Sequence, residues 1–129
     1  IHTEPERAIP LLEKVLNDGK ASPRLKQRAL FVLAQSGDGR ARDIIGRYAR
    51  GTGANPDLQL RAVEYLGAFG RREGAPEVLS EVYRNSNDTA VKRAVLRAYM
   101  VSREPQKLFE VAKSESNEDV KRYAIQMLG

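Results

Sequence analysis

Two glutamates on one predicted helix face are the residues best spaced for acid–base chemistry. Glu77 and Glu81 stand four residues apart, and Arg84 follows three residues later. On a helix this spacing places all three side chains on one face. A general acid needs a pKa raised by an apolar pocket, and the sequence predicts no such pocket around the pair. We therefore interpret these residues as part of a solvated helix face.

Metal and nucleophilic chemistry have few residues to draw on. His2 is the single histidine, and the chain has no cysteine. One histidine cannot supply a histidine-based metal site or a Ser-His-Asp triad, and thiolate ligands are excluded. The glycine-containing stretches 37–39 and 51–53 lack the spacing of a phosphate-binding loop. The sequence thus predicts no catalytic residue, no cofactor and no metal, and we expect that the protein is not an enzyme.

Arginines near the predicted turns between helices offer a different chemistry, the binding of phosphates. Lys plus Arg number 22 and Asp plus Glu 17, so the net charge is +5. If successive turns stack along one edge of the molecule, their arginines form a candidate basic edge: Arg40, Arg42, Arg71, Arg72 and Arg103. Helix residues such as Arg93 and Arg97 add to the positive charge. This edge would attract phosphates or an acidic protein. A solvated rim that keeps the protein soluble explains the same residues, and both interpretations stay open.

A sequence signature that occurs four times must position these residues. An aliphatic residue is followed by Lys or Gln, by Ala or Val at the fifth position and by Leu or Tyr at the ninth. The signature starts at Leu25, Leu58, Val91 and Val120, so the steps are 33, 33 and 29 residues. Its apolar residues share one helix face. A fixed period of this length indicates a stacked helical repeat.

A residue suited to cap a helix stands three residues before each signature: Ser22, Asn55, Asp88 and Asn117. Their side-chain oxygens can accept the free N–H groups of a first helical turn. Four start signals in one register predict a helix at each signature, which we call an A helix. The predicted A helices are 23–35, 56–68, 89–101 and 118–128.

A recurring apolar pair predicts a second helix in each repeat, which we call a B helix: Leu11-Leu12, Ile44-Ile45, Val78-Leu79 and Leu108-Phe109. The predicted B helices are 6–17, 40–50, 75–85 and 105–114. Alanines of the signature should be buried where helices cross: Ala29, Ala62 and Ala124. Three tyrosines are interpreted as core side chains with wet hydroxyls rather than as base-stacking platforms: Tyr48, Tyr65 and Tyr99.

The A pattern, followed by Gly-Asp-Gly-Arg-Ala at 37–41 and a Leu-Leu-type B helix, resembles HEAT repeats and especially their short bacterial variety. The resemblance covers essentially the whole chain and implies an all-α solenoid, a superhelix of antiparallel helix pairs. We expect a single domain over 1–129, which is part of a larger protein. Its expected units are a partial repeat 1–20, repeats 22–51, 55–86 and 88–115, and a partial repeat 117–129.

The resemblance also implies that the B helices line the concave side of the solenoid. Their outward positions then become candidate partner-binding residues: Arg47, Arg50, Glu77, Glu81, Arg84, Lys107 and Glu110. The charges of this set are mixed in sign, whereas a groove shaped for a nucleic-acid backbone would be more uniformly basic.

The expected function is that of a non-enzymatic protein–protein interaction scaffold with a protein or peptide partner. The alternative, nucleic-acid or phosphate binding through the arginine edge, is less favoured. No apolar run approaches the about 20 residues of a membrane span, so we expect no membrane insertion. Apolar residues continue to the end of the last helix, at Ile125 and Leu128, which predicts end-to-end self-association. The sequence leaves the partner and the localisation open.

Overall fold

The computed structural model describes residues 5–51, 55–69 and 74–129, and the regular structure in these ranges is entirely α-helical. Eight helices follow one another there: α1 Pro5–Asn17, α2 Pro23–Ser36, α3 Gly39–Ala49, α4 Pro56–Phe69, α5 Ala75–Asn85, α6 Thr89–Val101, α7 Pro105–Ser114 and α8 Glu118–Leu128. The even-numbered helices are the predicted A helices, and the odd-numbered helices are the predicted B helices. Every boundary lies within one residue of its prediction, so the predicted all-α repeat architecture is confirmed.

Local hydrogen bonds explain where the A helices begin. Ser22 Oγ accepts a hydrogen bond from the backbone N–H three residues ahead, at 3.1 Å. Asn55, Asp88 and Asn117 each accept through Oδ1 from the N–H two residues ahead, at 2.9, 2.8 and 2.9 Å. Each bond satisfies a first-turn N–H that has no partner within its own helix. The four predicted caps are thereby confirmed.

The end of α2 depends on a single glycine. Gly37 has a φ of 72°, in the left-handed region that favours glycine over residues with a side chain. The chain then turns directly into α3, where Asp38 Oδ1 accepts a hydrogen bond from the N–H of Arg40 at 2.8 Å. The turn between an A helix and the next B helix is therefore short, because one helix ends and the next begins within three residues.

The helices form two layers. Each pair of successive helices packs together, and the A helices also pack on one another in the order α2, α4, α6, α8. The three alanines predicted at helix crossings are buried, with at most 3% of their surface exposed: Ala29, Ala62 and Ala124. The core therefore runs along the stack, and each repeat buries its apolar face against its neighbours.

The helices of neighbouring repeats approach very closely where α4 crosses α6. A β-carbon placed on Gly67 would lie 2.6 Å from Ala98 Cβ and 2.7 Å from Ala98 Cα. Real β-carbons do not come this close to another atom, so only glycine fits at this spacing. Gly46 in α3 has more room, because its β-carbon would meet the flexible guanidinium of Arg50 at 3.2 Å and Val78 at 3.9 Å.

Two of the three tyrosines predicted in the core are buried there. Tyr48 donates its hydroxyl hydrogen bond to Asn17 Oδ1 at 3.0 Å, and Tyr99 Oη lies 2.9 Å from Ser80 Oγ. Each hydroxyl reaches a polar partner on a B helix, as a buried tyrosine requires. Tyr65 is only half-buried and lies at the surface of the A layer.

Glu115, between α7 and α8, joins these helices to α5 and α6. Its Oε1 accepts hydrogen bonds from the Tyr83 hydroxyl and from Lys92 Nζ, the latter at 3.2 Å, and its Oε2 accepts from the Asn117 N–H at 2.8 Å. Burial acts to raise the pKa of Glu115, but these three hydrogen bonds outweigh it and lower that pKa. Burial and the bond to the carboxylate raise the pKa of Tyr83.

Candidate interaction surface

Two of the predicted partner-binding arginines join neighbouring repeats through ion pairs. Arg47 Nη2 of α3 lies 2.7 Å from Glu13 Oε2 of α1. Arg50, directly after α3, bonds to Glu81 of α5 twice, from Nε at 2.9 Å and from Nη2 at 3.2 Å. The hydrogen bond from Arg50 is also the main cause that lowers the pKa of Glu81. These side chains already have partners within the molecule, although exposed ion pairs stabilise a fold only weakly.

Within the described residues the other predicted partner-binding residues on the B helices form no ion pair. Glu77, Arg84 and Glu110 are exposed. Lys107 Nζ lies 3.5 Å from Ser80 Oγ. The structure therefore joins one pair of the predicted set by hydrogen bonds, Arg50 with Glu81. The role of the set in partner binding stays a prediction.

The spacing of the helices shows which layer lies on the inner side of the stack. Each A helix packs on the next A helix, α4 with α6 most extensively. Among the described B helices, only α1 and α3 pack against each other appreciably. Because a stack curves toward its more closely spaced layer, the A helices lie on the concave side. The expectation that the B helices line the concave side is therefore wrong.

The predicted basic edge is only partly visible. Arg71 and Arg72 lie outside the described residues. Arg40 Nη2 lies 3.2 Å from Asp38 Oδ2, and its hydrogen bond is the main cause that lowers the pKa of Asp38. Arg103 is exposed in the turn after α6 and has a φ of 59°. At least one arginine of the predicted edge, Arg40, thus forms an ion pair with a carboxylate.

Arg42 lines a cavity of about 540 Å³ at the beginnings of α3 and α5. Arg40, Asp38 and Asp43 line the same cavity, so two acidic groups stand beside two basic ones. A phosphate would meet repulsion there as well as attraction. Phosphate binding by the edge stays a prediction with no added support from this geometry.

Three aromatic rings cluster on the exposed side of the A layer. The ring centroid of Phe31 in α2 lies 5.6 Å from that of Tyr65 and 5.9 Å from that of Phe69, both in α4. Both pairs are edge-to-face, an arrangement in which each pair contributes about 0.5–1.5 kcal/mol beyond the burial of its surface. Phe69 nevertheless keeps 48% of its surface exposed. The cluster bridges two repeats and leaves aromatic surface free.

The aromatic cluster lines a groove of about 380 Å³ on the A layer. Helix α6 contributes Ala94, Ala98 and Val101 to the groove, and Val101 is 60% exposed. Glu64 and Arg97 are its charged lining residues. A concave apolar surface with a few charged groups has the form of a binding site, and exposed apolar surface of this kind marks interaction sites.

Arg97 lines the groove, and two further arginines contact aromatic rings on the A layer. Arg28 Cζ lies 5.7 Å from the ring centroid of Phe31. Arg97 donates a hydrogen bond from Nη1 to the Tyr123 hydroxyl at 3.3 Å, and Arg93 Cζ lies 5.4 Å from the centroid of the same ring. Within the described part of the chain none of the three arginines forms an ion pair. Arg28 and Arg97 are exposed, whereas Arg93 is half-buried and its Nε is buried.

This surface was not predicted from the sequence, although part of the signal is present there. Arg93 and Arg97 add positive charge to the A helices, but Tyr65 lies at a predicted core position. Arg28 and Phe31 are three residues apart in α2, and Glu64 and Ala68 are four residues apart in α4. These spacings place each pair on one helix face. These spacings indicate a binding surface only if the A layer is the inner one.

Within the described residues, no group of three or more histidine, cysteine or acidic side chains could hold a metal ion. In the same ranges no helix is long and apolar enough to cross a membrane. The single histidine, His2, lies outside the described residues. For the glutamates first considered for acid–base chemistry, the structure shows an exposed Glu77 and an ion-paired Glu81.

Comparison with known proteins identifies one family. A family model described as HEAT repeats matches residues 9–100. The matched segment covers more than half of the chain, from α1 to α6, and contains all three rings of the aromatic cluster. Comparisons with curated proteins and with solved structures give no match.

Proposed function

The chain belongs to the HEAT-repeat family, and from this premise we propose that it is a non-enzymatic protein-interaction scaffold whose partner binds across the concave A layer. HEAT repeats generally serve as protein-interaction scaffolds, and stacked repeats offer extended concave surfaces for long partners. One observation supports the choice of surface most strongly. The partly exposed rings of Phe31, Tyr65 and Phe69 lie on the same layer as Arg28 and Arg97, which form no ion pair within the described residues.

The composition of this surface supports a protein-binding role. Aromatic residues and arginine dominate the binding free energy of most protein interfaces, especially where they cluster near the centre of the contact. On the A layer such residues come together from α2, α4 and α6. On the B layer Arg47 and Arg50 are each held by a glutamate of a neighbouring repeat. A partner would have to displace those glutamates before it could use the outer arginines.

A selection of peptides from a random library displayed on phage, with the intact chain as the target, tests the proposed function. We expect the enriched peptides to bind the wild-type chain and to lose affinity for Arg97→Glu and for Tyr65→Ala, which change the A layer. Arg47→Glu reverses an arginine of the B layer and is the matched control, so it should leave binding unchanged. Circular dichroism confirms that each variant is folded. Peptides whose binding depends on Arg47 and not on Arg97 would contradict the proposal, as would a selection that enriches no peptide.

Binding of duplex DNA tests the alternative function, phosphate binding through the basic edge. If the basic edge is the functional surface, DNA should bind more tightly than the non-specific range of about 10⁻⁶ M at physiological salt. That binding should be lost in Arg40→Glu and Arg103→Glu and kept in Arg97→Glu. This pattern would favour phosphate binding over the protein scaffold.

A further inference from the structure

Resting on the proposed function, we propose that the groove beside Phe31, Tyr65 and Phe69 takes an acidic segment of a partner protein. In this segment one large apolar side chain enters the groove and carboxylates flank it on both sides. Membership of the family does not determine the chemistry of the partner, whereas the residues around this groove favour an acidic one.

The apolar part of the proposal follows from the lining of the groove. Its volume of about 380 Å³ falls within the range of small-molecule and side-chain pockets. Phe69 and Val101, which are 48% and 60% exposed, would lose contact with water when an apolar side chain docks between α4 and α6. The neighbouring Ala94 and Ala98 have short side chains, which leaves the space above them for the partner.

The acidic part of the proposal follows from the arginines on either side. Arg28 stands on α2 against the Phe31 ring, and Arg97 stands on α6 beside the Tyr123 hydroxyl. A guanidinium that is stacked on a ring keeps its N–H edge free, and this edge can bind a carboxylate through two parallel hydrogen bonds. Arg97 lines the groove from α6, and Arg28 contacts the Phe31 wall of the groove from α2. A segment that crosses the groove can therefore pair with one arginine at each side of its apolar anchor.

Glu64 distinguishes a peptide from a nucleic acid in this groove. Its side chain lines the groove together with Arg97 and is exposed. A phosphodiester chain carries a negative charge at every nucleotide and would be repelled by this carboxylate. A peptide can place an uncharged backbone N–H there and keep its own carboxylates near the arginines.

Three fluorescein-labelled synthetic peptides test the proposal directly. The first has one phenylalanine flanked on both sides by glutamates in a Gly-Ser background. The second replaces each glutamate by glutamine, and the third replaces the phenylalanine by alanine. We expect the first peptide to bind, and each replacement to weaken binding by at least about tenfold. Fluorescence anisotropy against the intact chain measures these affinities.

Variants of the chain then assign the preference to the groove. Arg97→Gln should reduce the preference for the glutamate peptide over the glutamine peptide, since it removes the cation that reads the charge. Arg28→Gln should act in the same direction, and Arg47→Gln on the B layer should leave the preference intact. All three arginines are exposed, so each substitution should leave the fold intact. Thermal unfolding checks that each variant is folded.

The outcomes separate this proposal from the proposed function. Equal or absent binding of the three peptides, or a charge preference unaltered in Arg97→Gln and Arg28→Gln, overturns the acidic-segment proposal. If the phage selection yields basic or purely apolar peptides that still depend on Tyr65, the scaffold function stands and only the acidic chemistry is wrong. If a single-stranded oligothymidylate binds the groove more tightly than the first peptide, the proposal is overturned in favour of a nucleic acid.

Discussion

The two helix layers join their repeats in different ways. In the A layer the backbones of α4 and α6 approach until only glycine fits at position 67 beside Ala98. In the B layer long polar side chains span the gaps, as Arg47 does toward Glu13. Direct packing fixes the spacing of the inner layer, whereas flexible side chains tolerate a wider spacing in the outer one. An arginine count therefore says little about binding, because the outer Arg47 and Arg50 are ion-paired and the inner Arg97 is not.

The largest effect is expected for a charge placed in the inner layer. Ala62→Glu puts a carboxylate at a position with no exposed surface, and the variant should lose several kcal/mol of stability. Arg47→Glu, on the outer layer, should shift the urea midpoint far less, since it disturbs one exposed ion pair. Midpoints from chemical unfolding compare the two variants. Equal losses would contradict the assignment of inner and outer faces.

A smaller loss is expected at the network that ties the last repeat to the stack. Glu115→Gln keeps the shape of the side chain but removes the charge that pairs with Lys92, whose side chain is 17% exposed. A hydrogen bond to a charged group stabilises a fold more than a hydrogen bond between neutral groups. We therefore expect the free energy of unfolding to fall by about 1–2 kcal/mol. Chemical unfolding at neutral pH measures it. A variant as stable as the wild type would show that the network contributes nothing.

The same carboxylate predicts a pH dependence. Hydrogen bonds lower the pKa of folded Glu115 below the ordinary value of 4.5, so the ionised form stabilises the fold. This contribution is complete above the ordinary pKa and is lost as the pH falls through the lowered folded value. The stability gap between the wild type and Glu115→Gln should therefore narrow on acidification below about 4.5. A gap that stays constant down to strongly acidic pH would rule out this role.

The smallest effect concerns the first and last helices of this chain. Ile125 in α8 stands 29 residues after Leu96 in α6, the step between their signatures, yet Ile125 is 53% exposed while Leu96 is fully buried. Leu11 of α1 is likewise 62% exposed, whereas Ile44 at the same place in α3 is 3% exposed. We expect weak end-to-end association at high concentration, reduced in Ile125→Gln. Sedimentation velocity that shows one monomeric species at every concentration would contradict it.

Local features of the fold could be predicted from the sequence because their causes lie within a few residues. The caps at Ser22 and Asn55 act on N–H groups two or three residues ahead, and the spacing of the signature fixes which face holds Ala62. The inner and outer layers could not be predicted in this way. They depend on how far successive repeats rotate, and a family resemblance assigned them the wrong way round.

The candidate site was harder to predict than the fold for the same reason. Whether an arginine is free depends on a residue about one repeat away, as for Arg47 and Glu13, which are 34 residues apart. The position of Tyr65 in its own helix is near the core face, yet the side chain is partly exposed. Its surroundings depend on Phe31 of the preceding repeat, which the helix spacing alone does not place. Periodicity predicts the helices, whereas the surface depends on contacts between them.

The central claim, that the inner layer is spaced by direct packing and the outer layer is not, is tested most directly by one matched pair of substitutions. Alanine is favoured over glycine inside a helix by up to about 1 kcal/mol, so Gly46→Ala in α3 should leave the urea midpoint unchanged or raise it. Gly67→Ala in α4 should lower the midpoint, because its β-carbon would lie 2.6 Å from Ala98 Cβ. Opposite shifts would support the claim, and a midpoint raised equally in both variants would contradict it.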